Sequence, residues 1–296
     1  MSDRVATASV RTPPSSAPAG PWRQAWQILR RDRAFHVAAP ILVMLALMAV
    51  VPSWLTTAEP TDCVLERSLD GPSPTNWFGF DILGCDYYTR TVYGTRVSMT
   101  VGLVVSFLAG AIGVVLGAIA GFIGGVVDSV IARITDVAIG VPAILAGIVI
   151  ISFLEGPGLA QIILVLSVLS WPVMLRIMRG SVLEQKEEGY VVAARSSGAG
   201  VFRVLRTHVL PNAIAPVLIY ATLYVGTVIT AEAILSYMGV GLRLPTISWG
   251  LMLSDAASDM QRAPHLLIPG AFLVAAVLAF LLLGEALRNA LDPTRR

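Results

Sequence analysis

Six long runs of apolar residues, separated by polar segments, set the overall pattern of this sequence. Each run is close to the roughly 20 residues that an α-helix needs to cross the hydrocarbon core of a membrane. The pattern therefore predicts an all-α, polytopic membrane protein with six transmembrane helices. The runs lie at residues 36–55, 98–122, 137–154, 159–178, 213–235 and 266–287.

The first run has a second interpretation, as the core of a secretory signal peptide. It is long, it begins only at residue 36, and it lacks a small-x-small cleavage site, so we favour a transmembrane helix at 36–57. Residues 1–21, rich in Pro, Ser and Ala, are expected to form a disordered cytoplasmic tail. Residues 22–35 combine tryptophans with arginines, which is typical of an amphipathic helix at the membrane surface.

The other predicted divisions are an extracytoplasmic loop at 58–95, a transmembrane core at 96–290 with a long cytoplasmic loop at 179–212, and a cytoplasmic tail at 291–296. Lys and Arg decide the orientation, because sixteen of the 21 fall on the side that holds both termini. The positive-inside rule therefore places the N and C termini in the cytoplasm.

Composition agrees with a membrane protein and excludes other classes. Hydrophobic residues make up 55% of the chain and charged residues 14%, against about 25% charged in soluble domains. The net charge of +2 and the single lysine, Lys186, predict no nucleic-acid partner. The three histidines and two cysteines lack metal-ligand spacing, so no metal site is expected. A membrane enzyme would need a cluster of a nucleophile and a base, and the sequence shows none.

The segment at residues 188–212 is the most informative for function. It predicts a short helix, a break at Gly198, a second and basic amphipathic helix, and a proline, Pro211, that opens the next span. Ala193 and Ala194 leave one helix face with little side chain, so another protein can approach the backbone. Gly198 suits a helix C-terminal cap with positive φ. An ordinary surface loop is the alternative interpretation.

This segment resembles the EAA loop of ATP-binding cassette importer permeases, which reads Glu-Ala-Ala, three residues, Gly and, further along, a hydrophobic-Leu-Pro ending. Val192 stands where that loop usually has Glu. The resemblance implies that the segment couples to an ATPase. The residues expected to carry that coupling are Tyr190, Ala193, Ala194, Gly198, Leu210 and Pro211.

Further motifs are similar to the dipeptide/oligopeptide/nickel subfamily of these permeases, closest to the C-type subunit of dipeptide systems. They extend the resemblance over residues 22 to 293. The resemblance implies the fold of type I ATP-binding cassette importer permeases in a bacterial cytoplasmic membrane. The motifs lie at 77–86, 124–129, 133–136, 231–241, 245–250 and 284–293.

The resemblance also implies partners. They are a second related permease, two ATP-binding cassette ATPase subunits or domains, an extracytoplasmic substrate-binding protein and membrane lipid. This chain then forms half of a pathway for peptides, and it is not an enzyme itself. A P-loop needs Gly-Lys-Ser/Thr, but Lys186 lies between Gln185 and Glu187. We therefore expect no directly bound cofactor, with ATP and Mg²⁺ on the partner subunits.

Four side chains have two interpretations each. Cys63 and Cys85 lie in the same predicted extracytoplasmic loop, where an oxidising compartment favours a disulfide over two free buried thiols. Glu232 interrupts an apolar span, so it either lines the pathway or lies near the outer end of its helix, bonded to loop backbone. Trp171 either packs within the bundle or contributes to the pathway.

Asp128 and Asp136 are expected to pair with Arg133 in the first cytoplasmic loop. A secondary transporter or channel subunit is the competing function. Charged pairs at the membrane midplane favour that class, and this sequence has almost none.

Overall fold

The computed structural model describes residues 21–154 and 158–291, which form helices joined by turns and irregular segments. The predicted tails lie outside the described residues, except for Pro21 and Leu291, which are helical. The α-helices are α1 (Pro21–Leu29), α2 (Arg33–Val50), α3 (Pro52–Leu55), α4 (Tyr87–Ile123), α5 (Gly125–Gly140), α6 (Ala143–Ser152), α7 (Leu159–Gln185), α8 (Gly189–Ser196), α9 (Val201–Val204), α10 (Leu210–Ala213), α11 (Ala215–Tyr237), α12 (Trp249–Ala256) and α13 (Ile268–Leu291).

The all-α membrane fold is confirmed. Five helices, α2, α4, α7, α11 and α13, are long and apolar enough to cross a membrane, and the pair α5–α6 makes a sixth if it forms one bent span.

The prediction of one continuous helix at 137–154 was wrong. α5 and α6 meet at an angle of 81°. Pro142 lies at the break, where it has no N–H to donate and forces Val141 into an extended conformation, with ψ at 122°. The apolar run at residues 137–154 continues through Pro142, although the helix is interrupted there.

Five predicted boundaries also differ from the structure. The surface helix ends at Leu29 rather than at 35, because the carboxylate of Asp32 accepts a hydrogen bond from the N–H of Ala34 (2.8 Å) and starts α2. The first span, predicted at 36–57, therefore begins at Arg33, and α2 ends at Val50. Residues 87–95, assigned to a loop, are the first turns of α4. The loop predicted to begin at 179 begins after α7 ends at Gln185.

The centre of the bundle is a close, parallel contact between α4 and α7. A Cβ atom on Gly113 would lie 2.7 Å from the Cβ of Met174, and one on Gly117 would lie 2.7 Å from the carbonyl oxygen of Leu175. Small residues at four-residue spacing allow this backbone approach between membrane helices. The contact makes α4 and α7 one unit, with the start of α4 and the end of α7 at opposite ends of the bundle.

The remaining long helices surround this unit. α11 and α13 pack against each other and α2 packs on α13, with a shared apolar cluster around Trp249. The indole N–H of Trp249 donates to the carbonyl of Thr91 (3.2 Å), which ties α12 to α4. α1 lies against the end of α13 through Ala25 and Leu29.

Candidate coupling surface

The segment between α7 and α11, residues 186–213, is called the coupling segment below. α8 ends in a turn at Gly198, whose φ of +83° is easy only for glycine. The N–H groups of Gly198 and Ala199 donate back to the carbonyls of Arg195 (2.9 Å) and Ala194 (3.1 Å), which closes the helix end. The helix–glycine–helix order predicted from the sequence is therefore present.

The second half of the coupling segment is helical from α9 to α10, with a π-helical turn at Leu205–Val209. Pro211 explains the wider turn, because a proline ring clashes with the carbonyl four residues earlier in a regular α-helix. The N–H of Leu210 reaches instead to the carbonyl of Leu205. Such π-turns are frequent at functional sites.

One side of the coupling segment is anchored in the bundle. Val191 of α8 is fully buried, and so are Val204 and Val209 further along. These side chains pack in one cluster with Met178 and Val182 of α7. A displacement of α8 must therefore act on α7 and, through α10, on α11.

Polar contacts hold the two halves of the segment together. The Tyr190 hydroxyl donates to Oε1 of Gln185 (2.6 Å) and accepts from Nδ2 of Asn212 (3.3 Å). Burial raises the pKa of Tyr190 above its ordinary value, and the hydrogen bond from Asn212 offsets part of that shift. Asn212 also donates to the carbonyl of His208 (2.8 Å). Tyr190 thus joins α7, α8 and the start of α10.

The other side of the segment is open and apolar. Phe202 is 72% exposed and Val201 71%, and Val192 and Tyr190 are exposed nearby. Arg203 and Arg206 add positive charge beside them. Large apolar side chains exposed together mark a surface for interaction with another protein or with the membrane.

The residues expected to carry coupling divide between these two sides. Ala193, Gly198 and Pro211 are exposed, and no other group lies within 4 Å of a Cβ built on Gly198. Ala194 and Leu210 pack against the buried cluster. The sequence did not indicate Phe202 or Val201, because an apolar residue in a short amphipathic helix usually faces inward.

The opposite end of the bundle is closed by contacts within the chain. Cys63 is joined to Cys85 by a disulfide. Asp81 forms a buried ion pair with Arg90 on α4, and its carboxylate also accepts from the N–H groups of Leu83 (2.8 Å) and Cys85 (2.9 Å). The sequence did not single out Asp81 and Arg90.

Glu232 corrects the expectation of a bond to loop backbone. Its carboxylate is fully buried, and Oε1 accepts hydrogen bonds from the hydroxyls of Ser236 (2.8 Å) and Ser248 (2.9 Å). It therefore ties α11 to the start of α12 and does not face an open passage in this conformation. Trp171 is half-buried on α7.

Asp128 and Asp136 do not pair with Arg133, contrary to expectation. Both reach across to α7, Asp128 to Arg179 and Asp136 to Arg176. The sequence separations of 51 and 40 residues explain why only the folded chain shows these pairs. In the part of the chain that the structure describes, no three metal-ligating side chains come together.

Comparison with known proteins agrees with this architecture. Residues 113–296 match the family "Binding-protein-dependent transport system inner membrane component", and residues 20–72 match the "N-terminal TM domain of oligopeptide transport permease C". The glutathione transport system permease protein GsiD of Salmonella typhimurium is 40% identical over 275 residues, which are 92% of this chain and 90% of that protein. Its counterpart in Escherichia coli O157:H7 is 37% identical over the same length.

A family match over more than half of the chain and relatives of this identity agree with the helical membrane fold and with the coupling segment. The chain therefore belongs to the binding-protein-dependent transport system inner membrane components, the permease subunits of ATP-binding cassette importers.

Proposed function

We propose that this protein forms half of the translocation pathway of an ATP-driven importer of short peptides. A second, related permease forms the other half, two ATPase subunits hydrolyse ATP, and an extracytoplasmic binding protein delivers the peptide. The observation that carries the proposal is the coupling segment, which is anchored on α7 and α11 on one side and exposes apolar side chains on the other.

The charge distribution supports a cytoplasmic position for the coupling segment. The segment holds four cationic residues, Lys186, Arg195, Arg203 and Arg206, and it lies on the side that holds sixteen of the 21. The positive-inside rule directs such loops to the cytoplasm. ATP is found there, so the exposed face of α8 and α9 is available to an ATPase. The disulfide end then faces outward, where the binding protein arrives.

Coupling follows from the way α8 is attached. When the ATPases close around ATP, a subunit that grips the exposed face moves α8 as a rigid body. Val191 and Tyr190 transmit the displacement to α7 and α10, and the close contact of α7 with α4 carries it through the bundle. A packed interface of this kind moves as a unit, because tightly packed cores are not continuously deformable.

The peptide substrate is supported by the relatives. They are named as glutathione transport permeases, and glutathione is a tripeptide with one ammonium and two carboxylate groups. The family match at residues 20–72 is to an oligopeptide permease domain. Short peptides are the class that both names share.

The experiment is reconstitution of the complete complex in proteoliposomes, with uptake of labelled glutathione and a labelled dipeptide. Ala193→Arg tests coupling, because Ala193 is exposed and a large cation there blocks a docked partner. Ala58→Arg is the matched control at the opposite end, also at an exposed alanine.

We expect Ala193→Arg to abolish ATP-dependent uptake and to release the ATPase during purification, while Ala58→Arg retains the ATPase. Normal uptake and ATPase stimulation with Ala193→Arg would show that the segment does not couple. Failure of the wild-type complex to take up either peptide would disprove the peptide substrate.

A further inference from the structure

We propose that the cleft between α5 and α7 binds the charged ends of a peptide in passage, with Arg176 holding a carboxylate and Asp136 holding the ammonium group. This inference rests on the proposed peptide-import function. It assigns a substrate site within the permease itself, separate from the coupling segment.

The cleft has the size of a small-molecule site and a strongly charged lining. Its volume is about 320 Å³, and its walls are Ala132, Thr135 and Asp136 of α5 with Leu175, Arg176 and Arg179 of α7. Small-ligand sites have volumes from about 300 Å³ upward and combine apolar walls with a few charged groups. This cleft joins small and apolar side chains to two guanidinium groups and a carboxylate.

The position of the charges along α7 points to water or substrate rather than lipid. α7 has 27 residues, so it is about 40 Å long at 1.5 Å per residue, against a hydrocarbon core of about 30 Å. Arg176 lies nine residues before the end of the helix, about 14 Å in, which places it near the inner edge of that core. Both Arg176 and Asp136 are 52% exposed. A charged side chain at such depth faces the bundle interior, a water-filled path or the headgroup interface rather than hydrocarbon.

The two ion pairs of the cleft differ in a way that assigns their roles. Arg179 binds both carboxylate oxygens of Asp128, from Nε and from Nη2. Arg176 uses only Nη2, which donates to Oδ1 of Asp136 (2.5 Å), and its guanidinium makes no other hydrogen bond to the described residues. The Arg179–Asp128 pair is thus a closed clamp, whereas the Arg176–Asp136 pair keeps donors and an acceptor oxygen for a ligand.

A zwitterion fits this open pair. Its carboxylate can accept two parallel N–H bonds from Arg176, the geometry that guanidinium groups favour. Its ammonium group can donate to the free oxygen of Asp136. The exchange replaces one ion pair by two, so no charge is left unpaired while the peptide passes.

The attachment of α5 allows the cleft to open. Thr135 is the one buried residue of α5. Gly124 precedes this helix and Gly125 is its first residue, with φ of +73° and +60°. The bend at Pro142 follows it. α5 is therefore held to α7 chiefly by the two ion pairs, and opening of the Arg176–Asp136 pair leaves the clamp in place.

The first test is uptake kinetics in the reconstituted complex. Arg176→Gln is compared with Arg133→Gln, the same substitution at an exposed arginine on α5 outside the cleft. Since the binding protein captures the peptide, loss of a later site lowers the maximal rate and leaves the half-saturating peptide concentration unchanged. We expect Arg176→Gln to lower the maximal rate about tenfold, as loss of one charge-assisted contact does, and Arg133→Gln to have no effect. A maximal rate within twofold of wild type for Arg176→Gln overturns the site.

The second test measures binding of glutathione in the cleft and does not depend on uptake. The complex, purified without its binding protein, is treated with phenylglyoxal, and modification of Arg176 is measured by mass spectrometry with and without glutathione. We expect glutathione to slow modification of Arg176 but not of the exposed Arg262. Equal modification in both samples contradicts the site. If the wild-type complex takes up no peptide while glutathione still protects Arg176 from modification, the proposed import function is disproved and the binding site is supported.

Discussion

The two ends of the bundle are held together by different kinds of contact. At the end formed by residues 56–86 and 249–267, the chain closes on itself through the Cys63–Cys85 disulfide and the buried Asp81–Arg90 pair. The hydroxyl of Tyr87 there donates to the carbonyl of Leu266, 179 residues away (2.9 Å). At the other end, the coupling segment leaves large apolar side chains exposed. Its hydrogen bonds are short-range along the chain except for those of Asn212 to Tyr190 (3.3 Å) and of Lys186 to the carbonyl of Gly121 (3.3 Å).

The difference shows which end completes its contacts within the chain. The closed end is held together by the disulfide, by the buried ion pair and by the hydrogen bond from Tyr87 to Leu266. The coupling segment is anchored in the bundle by buried side chains, but it leaves Val201 and Phe202 exposed, where we propose that the ATPase docks. Substitutions at the closed end should therefore lower stability, and substitutions on the open face should lower assembly.

The largest loss of stability is expected from Arg90→Met. Asp81 and Arg90 side chains are only 8% and 6% exposed, so removal of the arginine leaves a buried carboxylate without its counter-ion. Breaking a buried pair in this way costs about 3–5 kcal/mol. Thermal unfolding in detergent measures it. Arg262→Met, which removes the exposed Arg262–Asp259 pair, is the control and should unfold as wild type does. Equal unfolding of both variants would mean that the buried pair does not hold the closed end.

The next effect is expected from the double substitution of Cys63 and Cys85 by serine. A disulfide that closes a loop of this length stabilises by about 3 kcal/mol. Reductant should lower the unfolding temperature of the wild type to that of the double variant and leave the double variant unchanged. Alkylation of both wild-type thiols without reductant would contradict the disulfide.

A smaller and local effect is expected from Gly198→Ala. Alanine at positive φ costs about 1–2 kcal/mol, so amides at the end of α8 should exchange hydrogen about tenfold faster. Gly200→Ala is the matched control, because Gly200 has a φ of −62° and open space around it. Faster exchange in both variants would show that side-chain bulk, not backbone conformation, matters here.

The smallest effect on stability is expected from Phe202→Ser. An exposed substitution changes the free energy of unfolding by no more than about 0.5 kcal/mol, yet retention of the ATPase should fall. Leu65→Ser is the control, because Leu65 is 68% exposed at the closed end and should leave retention unchanged. If Phe202→Ser lowered stability but the ATPase were retained, the open face would serve stability and not assembly, contrary to expectation.

The sequence predicted most of this architecture because its strongest signals are local. Twenty-residue apolar runs identify membrane helices, and the family resemblance carried by Ala193, Ala194 and Gly198 points to the coupling segment. A kink at Pro142 could be expected from the sequence, but the 81° angle between α5 and α6 could not, because hydropathy does not register a break between two apolar halves. The start of α4 was missed because its first turns are polar.

Long-range pairing marks the limit of sequence reasoning. Arg133 is the arginine nearest to Asp128 and Asp136 along the chain, yet both carboxylates reach α7. Glu232 likewise finds Ser248 across a turn. In each case a buried or half-buried charge selects its partner from groups that only the packed helices bring near.

We propose that the coupling segment, and not the disulfide end, contacts the ATPase. Single cysteines at Ala193 and at Leu65, introduced beside the native disulfide, test it with a short thiol-reactive cross-linker on the assembled complex in membranes. We expect a cross-linked product between this chain and the ATPase from Ala193→Cys and none from Leu65→Cys. An ATPase product from Leu65→Cys, or none from a fully reactive Ala193→Cys, would contradict it.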